Sequence, residues 1–168
     1  MADFVSAYKK TMDIEKFILT NTPGDAGGQT YAGISRRANP QWEGWKFIDR
    51  ECPVPEGMVS TFYKSVYWDA VNGDLIISPV IADSLFDFSV NAGVPTAKHL
   101  AQQAVKAKTD GIFGPLTMAA LNSVDAEVFS LRFSLLKIKR YRDIVESDHT
   151  QLKFLEGWIS RTLTQSNI

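Results

Sequence analysis

EKFILTNTPGDAGGQTYAGI, residues 15–34, is the stretch on which the reading of this chain turns. It begins where a patterned segment runs out. Phe4, Tyr8, Met12, Glu15 and Leu19 recur at steps of three and four, so the spacing predicts one amphipathic helix over residues 3–20. Residues 20–28 then gather Thr, Asn, Pro, Gly and Asp, the composition of a loop. Beyond it, residues 30–37 suit either a short strand or a helical turn.

Glu15 shares its helix face with Met12 and Tyr8. Desolvation on such a face favours the neutral carboxyl, and the partial negative charge of a helix C-terminus acts in the same direction. Both raise the affinity for a proton, as a general acid near neutral pH requires. Asp25 follows after the loop, in a polar Gly-rich turn where it should stay ionised, so a second carboxylate can fold back opposite the first. Two carboxylates whose environments separate their proton affinities are the equipment for cleaving a glycosidic bond. Gly27 and Gly28 let the backbone turn sharply beside a ligand, and the Thr30 hydroxyl can position a water. Each residue alone has a plainer explanation. A helical Glu ordinarily meets solvent or a lysine such as Lys10 or Lys16, an Asp before Gly-Gly forms a turn, and a Thr caps a helix or sits in a strand. The combination is what points to chemistry.

Working outward, 168 residues suit one ordinary domain, or one with a small partner. A 45% hydrophobic and 11% aromatic content supports a true core and argues against disorder. The net charge of −1 supplies no field toward nucleic acid or an anionic membrane. Cys52 is the only cysteine, so no intramolecular disulfide forms. Two histidines and one cysteine support zinc poorly, and no metal or organic cofactor is expected. No stretch reaches the roughly 20 apolar residues of a membrane span. The N-terminal MADFVSAYKK has no apolar run of signal-peptide length. The expectation is therefore a monomer made in the cytoplasm without a signal peptide and without membrane insertion.

The rest of the chain reads as helices. Val59, Phe62, Val66 and Ala70 form one apolar stripe ending near Asn72-Gly73, and Ser78-Pro79 marks a helix start closed by Gly93. Pro95 opens a helix through about Ala107, residues 117–121 form a short one, and longer patterns cover about 124–146 and 151–163. No strict alternation argues for a sheet, so the fold class is mainly α. Trp42, Trp45, Tyr63, Tyr67 and Trp68 offer flat faces, most of them expected in the core. Tyr31 adjoins Thr30 and is the best sugar-contact candidate. Asp87 and Asn91, one helical turn apart, could line a cleft or cap and pair locally. His99 reads as structural, and the run Lys137, Lys139, Arg140, Arg142 as a solvated basic face.

These residues resemble glycoside hydrolase family 108, the phage and bacterial N-acetylmuramidases. Its signature has Glu-Gly-Gly followed by Asp-Pro-Gly-Gly-x-Thr-x-x-Gly-Ile, which DAGGQTYAGIS at residues 25–35 matches closely. LFDFSVNAGVPTAKHLAQQA at 85–104 is similar to a later block of the family. DGIFGPLTMAAL at 110–121 resembles a short peptidoglycan-binding motif that FLEGWISR at 154–161 would close. The resemblance extends to the so-called secretion activator proteins. It implies a lysozyme-like helical region over 1–94 and a helical peptidoglycan-binding-like region over 95–168, packed against it. Glu15 then matches the catalytic acid, with Asp25 and Thr30 matching the Asp and Thr that hold water. The activity implied is inverting hydrolysis of the β-1,4 bond between N-acetylmuramic acid and N-acetylglucosamine in peptidoglycan glycan strands, after release or export to the wall. Lys16 and Phe17 stand where the family has Gly-Gly, and Asp25 comes about one residue late. Two alternatives stay open: a catalytically silent peptidoglycan-binding or secretion-associated protein, and a lytic transglycosylase.

Overall fold

Twelve residues, Phe4–Glu15, form α1, and the helix stops on the residue of greatest interest. Lys16 takes a left-handed conformation, φ +57°, while its N–H donates to the Met12 carbonyl at 2.9 Å. That is a helix C-terminus with a non-glycine in the position glycine favours. The helix expected over 3–20 is therefore shorter, and Leu19 belongs to a strand. The computed structural model describes residues 2–21 and 28–166. These fall into two units, Phe4–Val66 on one side and the described parts of Met1–Asp3 with Tyr67–Ile168 on the other.

In the first unit, β1 (Leu19–Thr20), β2 (Thr30–Tyr31) and β3 (Ile34–Ser35) make an antiparallel sheet in that order. No sheet was expected, because two-residue strands are too short to show alternation. Tyr31 pairs with Ile34, so only Ala32 and Gly33 connect β2 to β3. Both have positive φ, +48° and +77°. Two consecutive left-handed residues are what a type I′ hairpin requires, and only Gly33 adopts them freely. Residues 30–37 thus resolve into strand, turn and strand. A short helix α2 (Trp45–Ile48) and α3 (Glu56–Tyr63) complete the unit. Its interior joins Ala7, Thr11 and Met12 of α1 to Ile34, Trp45, Val59 and Tyr63, all buried. Trp42 stands edge-on to Trp45 at 5.2 Å and to Phe62 at 6.0 Å between ring centroids.

After α3 the chain continues through a π turn, Lys64–Trp68, and a 3-10 turn, Asp69–Val71. A π turn holds an extra residue per turn, which rotates everything after it off the α-helical face. The predicted stripe therefore breaks after Phe62: Val66 is exposed and Ala70 half-buried, while Trp68 and Val71 take the buried positions.

In the second unit, α4 (Pro79–Ala92) begins as the sequence indicates, with the Ser78 hydroxyl accepting from Ile81 N–H and Pro79 in the first turn. Gly93, φ +85°, separates it from α5 (Val94–Ala104). Then follow α6 (Pro115–Ser123), α7 (Ala126–Ser147) capped by the Asp125 carboxylate, and α8 (Leu152–Ser166). Ile81, Leu85 and Phe88 of α4 and Phe129 and Phe133 of α7 are buried; Phe88 meets Phe133 edge-on at 5.4 Å. Each such side chain contributes roughly 1.5–3 kcal/mol by leaving water. The DGIFGP run is tied down by Gln102, whose amide donates to Asp110 and the Ile112 carbonyl and accepts from Gly111 N–H. The fold is mainly α, eight α-helices and one small sheet among the described residues, with no helix there long and apolar enough to cross a membrane.

Candidate active site

Glu15 is the last residue of α1, half-buried, and what its carboxylate meets is set by the Ala32-Gly33 turn. A Cβ built on Gly33 would stand 2.8 Å from Glu15 Oε2 and would overlap the Tyr63 hydroxyl. The acid, the turn backbone and the phenol thus converge on one point, and only a glycine leaves room for them. Tyr63, at the end of α3 and fully buried, donates its hydroxyl to the Ala32 carbonyl at 2.8 Å, locking the turn in place. Three segments distant in sequence therefore make this spot: a helix C-terminus, a hairpin tip and a second helix end.

The hairpin that delivers Gly33 to Glu15 also carries Thr30 and Tyr31, both half-buried in β2. Tyr31 lies 6.2 Å from Trp42, nearly parallel to it, so two half-exposed rings offer a flat apolar face of the kind a sugar ring can cover. Asp25 lies outside the described residues. Sequence reasoning singled out Glu15, Thr30 and Tyr31, but had no signal for Gly33 as the seat of the carboxylate. Tyr63 appeared there only among aromatic residues expected in the core, since nothing local links it to a turn 31 residues earlier.

Along α1 a groove of about 730 Å³ runs past Phe4, Tyr8, Met12 and Phe17, with Glu56 and Ser60 opposite. Glu15 does not line it; its carboxylate packs on the hairpin turn at Gly33. The Tyr8 hydroxyl is buried and has no hydrogen-bond partner among the described residues. Burial, reinforced by the negative charge of Glu56 and by Tyr31, pushes its pKa up to about 12, so it stays a neutral donor.

Asp87 and Asn91 belong to the second unit. Asp87 is buried, and Arg161 of α8 grips both its oxygens, Nε at 3.0 Å and Nη2 at 2.8 Å. Its acceptors are thereby directed at a guanidinium 74 residues away. Asn91, one turn on, is exposed. Lys137 is buried as well, which departs from the expected solvated face. Its ammonium lies over Phe133 and Phe88 at 4.5 and 5.0 Å and donates to the Ser84 hydroxyl at 3.2 Å. Among the described residues, no group of three or more His, Cys, Asp or Glu side chains is gathered to hold a metal ion.

Residues 8–93, just over half the chain and inclusive of Glu15, the hairpin and Tyr63, match the family Glycosyl hydrolase 108. The chain belongs to the glycosyl hydrolase 108 family. Residues 96–163 match a second family, described as Predicted Peptidoglycan domain. A solved structure, that of Brucella abortus SagA, is similar with a TM-score of 0.80 and 24% identity, over 98% of this chain and 91% of that one. At that identity the likeness shows a shared fold. No curated protein matches. The family 108 match ends at the Gly93 break between α4 and α5, whereas the two compact units divide earlier, after Val66.

Proposed function

We propose that this chain is an N-acetylmuramidase, hydrolysing the β-1,4 bond between N-acetylmuramic acid and N-acetylglucosamine in peptidoglycan. The observation that carries the reading is the seat of Glu15. Its carboxylate ends a helix, packs on the one residue of a tight hairpin that has no side chain, and lies within the family 108 match. A proton donor must be held where the leaving oxygen will be, and a carboxyl fixed against backbone meets that need. Glu15 protonates the leaving oxygen. Asp25 and Thr30 hold the water that attacks the opposite face of the sugar. Room for that water corresponds to carboxyl groups ~6.5–9.5 Å apart and an inverted product. The match of residues 96–163 supports peptidoglycan as the polymer bound.

The expectation that Lys16 departs from the family's glycine is tempered by its backbone, which takes the left-handed shape a glycine would take. The substitution strains the turn without abolishing it, and this favours an active enzyme over a silent binder.

Purified protein should clear a peptidoglycan suspension with release of reducing ends. Glu15→Gln should lower that rate by about 10²–10⁴-fold with an unchanged circular-dichroism spectrum. Clearing that survives the substitution would overturn the assignment. Anhydro-muramic ends instead of reducing ends would make it a lytic transglycosylase.

A further inference from the structure

Between α5 and α7 the second unit holds a groove of about 360 Å³, within the size range of ligand clefts. Leu100, Leu136 and Ile144 give it an apolar floor, and Gln103, Arg140 and Ser147 supply polar groups. The cations around it are not alike. Lys139 reaches Asp143 at 2.9 Å, and Arg142 binds the other oxygen of the same carboxylate. Arg142 also approaches Glu146 at 3.9 Å. Arg140 has no such acid. Its Nε is buried with no acceptor, and the guanidinium makes neither hydrogen bond nor ion pair among the described residues. A buried donor left unpaired is costly, and native structures rarely keep one without a reason. Nε itself is closed off, but the guanidinium lines the groove, where an anion would meet its outer nitrogens and answer the charge of the whole group. A carboxylate suits a guanidinium best, because its two oxygens match the planar fork.

We propose that this groove binds the stem peptide of peptidoglycan, with a peptide carboxylate held by Arg140 and small side chains lying on the leucine floor. The proposal rests on the reading of peptidoglycan as the polymer bound. The glycan itself is a poorer occupant. Its N-acetyl sugars are neutral, and the lactyl carboxyl of muramic acid is consumed in the amide bond to the peptide. Only the peptides carry free carboxylates together with methyl groups.

The test compares pull-down of the full chain by intact peptidoglycan with pull-down by peptide-free strands of N-acetylglucosamine, which expose no carboxyl group. Intact material should bind about 10-fold more tightly, and Arg140→Gln should remove that preference while Arg140→Lys restores part of it. Equal binding to both materials, or a preference that survives Arg140→Gln, overturns the proposal. Should Arg140→Gln fail to fold, a stem tetrapeptide titrated into the unmodified protein decides: shifts of the Leu100, Gln103 and Ser147 amide resonances support the groove, and their absence refutes it. Reducing-end release by the unmodified protein is scored separately. Binding preference without reducing ends sinks the hydrolase and keeps the groove; reducing ends without preference do the reverse.

Discussion

The two units are held together by different means. Of the largest fully buried side chains among the described residues, Phe4–Val66 supplies only Tyr63 and Ile34, while the second unit supplies Trp68, Phe86, Phe88, Phe129, Phe133 and others. The first unit instead carries three described non-glycine residues in left-handed conformation, Lys16, Ala32 and Glu51, against Asn72 and Lys106 in the longer second one. One is shaped by turns, the other by packed helices. Two of those three strained residues flank the carboxylate of Glu15: Lys16 follows it in sequence, and Ala32 begins the turn beneath it. A strained backbone persists only where its surroundings over-determine it, and such places gather at functional sites. The comparison teaches that this site depends on backbone shape more than on the number of charged groups.

The largest expected change lies in the packed unit and should leave the site alone. Burial pushes Lys137 down to about 8; nearby Asp87 opposes that shift and Arg161 adds to it. A lysine depressed in the folded state is protonated more readily when unfolded. The unfolded chain therefore binds the extra proton between about pH 8 and 10.5, and folding stability rises with pH across that window. Below pH 8 the full penalty stands. Lys137→Met should stabilise the protein by about 1–3 kcal/mol at pH 7, with the gain shrinking toward pH 10 in denaturant melts. The window must stop near pH 10, because Tyr8 and the buried Tyr141 are both raised and withdraw stability above it. Hydrolysis per folded molecule should not change. A loss of hydrolysis would erase the contrast between the units.

In the first unit the effects should run the other way, small in stability and large in rate. Gly33→Ala places a methyl against the Tyr63 hydroxyl and Glu15 Oε2 at a backbone angle that disfavours any side chain. About 2 kcal/mol of stability should be lost, with hydrolysis down at least 100-fold because the acid is displaced. A folded Gly33→Ala protein of normal activity would show that the turn does not seat the acid. Lys16→Gly relieves the strain at the end of α1 but gives the unfolded chain more freedom. The net gain should be about 0.5–1 kcal/mol, read as a rise in melting temperature, with the rate changing by less than a factor of three or so. A destabilised Lys16→Gly protein would mean that the lysine side chain earns its place by contact.

How much of this could be read from the sequence depended on how locally each feature is specified. The α4 start came from Ser78-Pro79 and its end from Gly93, because caps act within a turn of themselves. Glu15 stood out by its helix position and by the Asp, Gly-Gly and Thr that follow. The hairpin did not, since Tyr-Ala-Gly-Ile lacks the Asn-Gly or Asp-Gly that announces a type I′ turn, and each strand is two residues long. The partner of Asp87 could not be read because it is 74 residues distant. Lys137 misled because a lysine among basic neighbours reads as solvated until its aromatic cage is visible.

The π turn at Lys64–Trp68 has a consequence for how the length of this chain can vary. Losing a single residue there would let α3 run on as an ordinary helix and bring the periodic face back into phase. Trp68 and Val71 would keep the seats they now fill, because the residue lost is the extra one that the wider turn absorbs. The Trp68 indole would keep its hydrogen bond to Asp74 and the space left open by Gly73. The segment can therefore lose one residue without moving the tryptophan, whereas the same number of residues wound as a plain α-helix would swing it about a hundred degrees away.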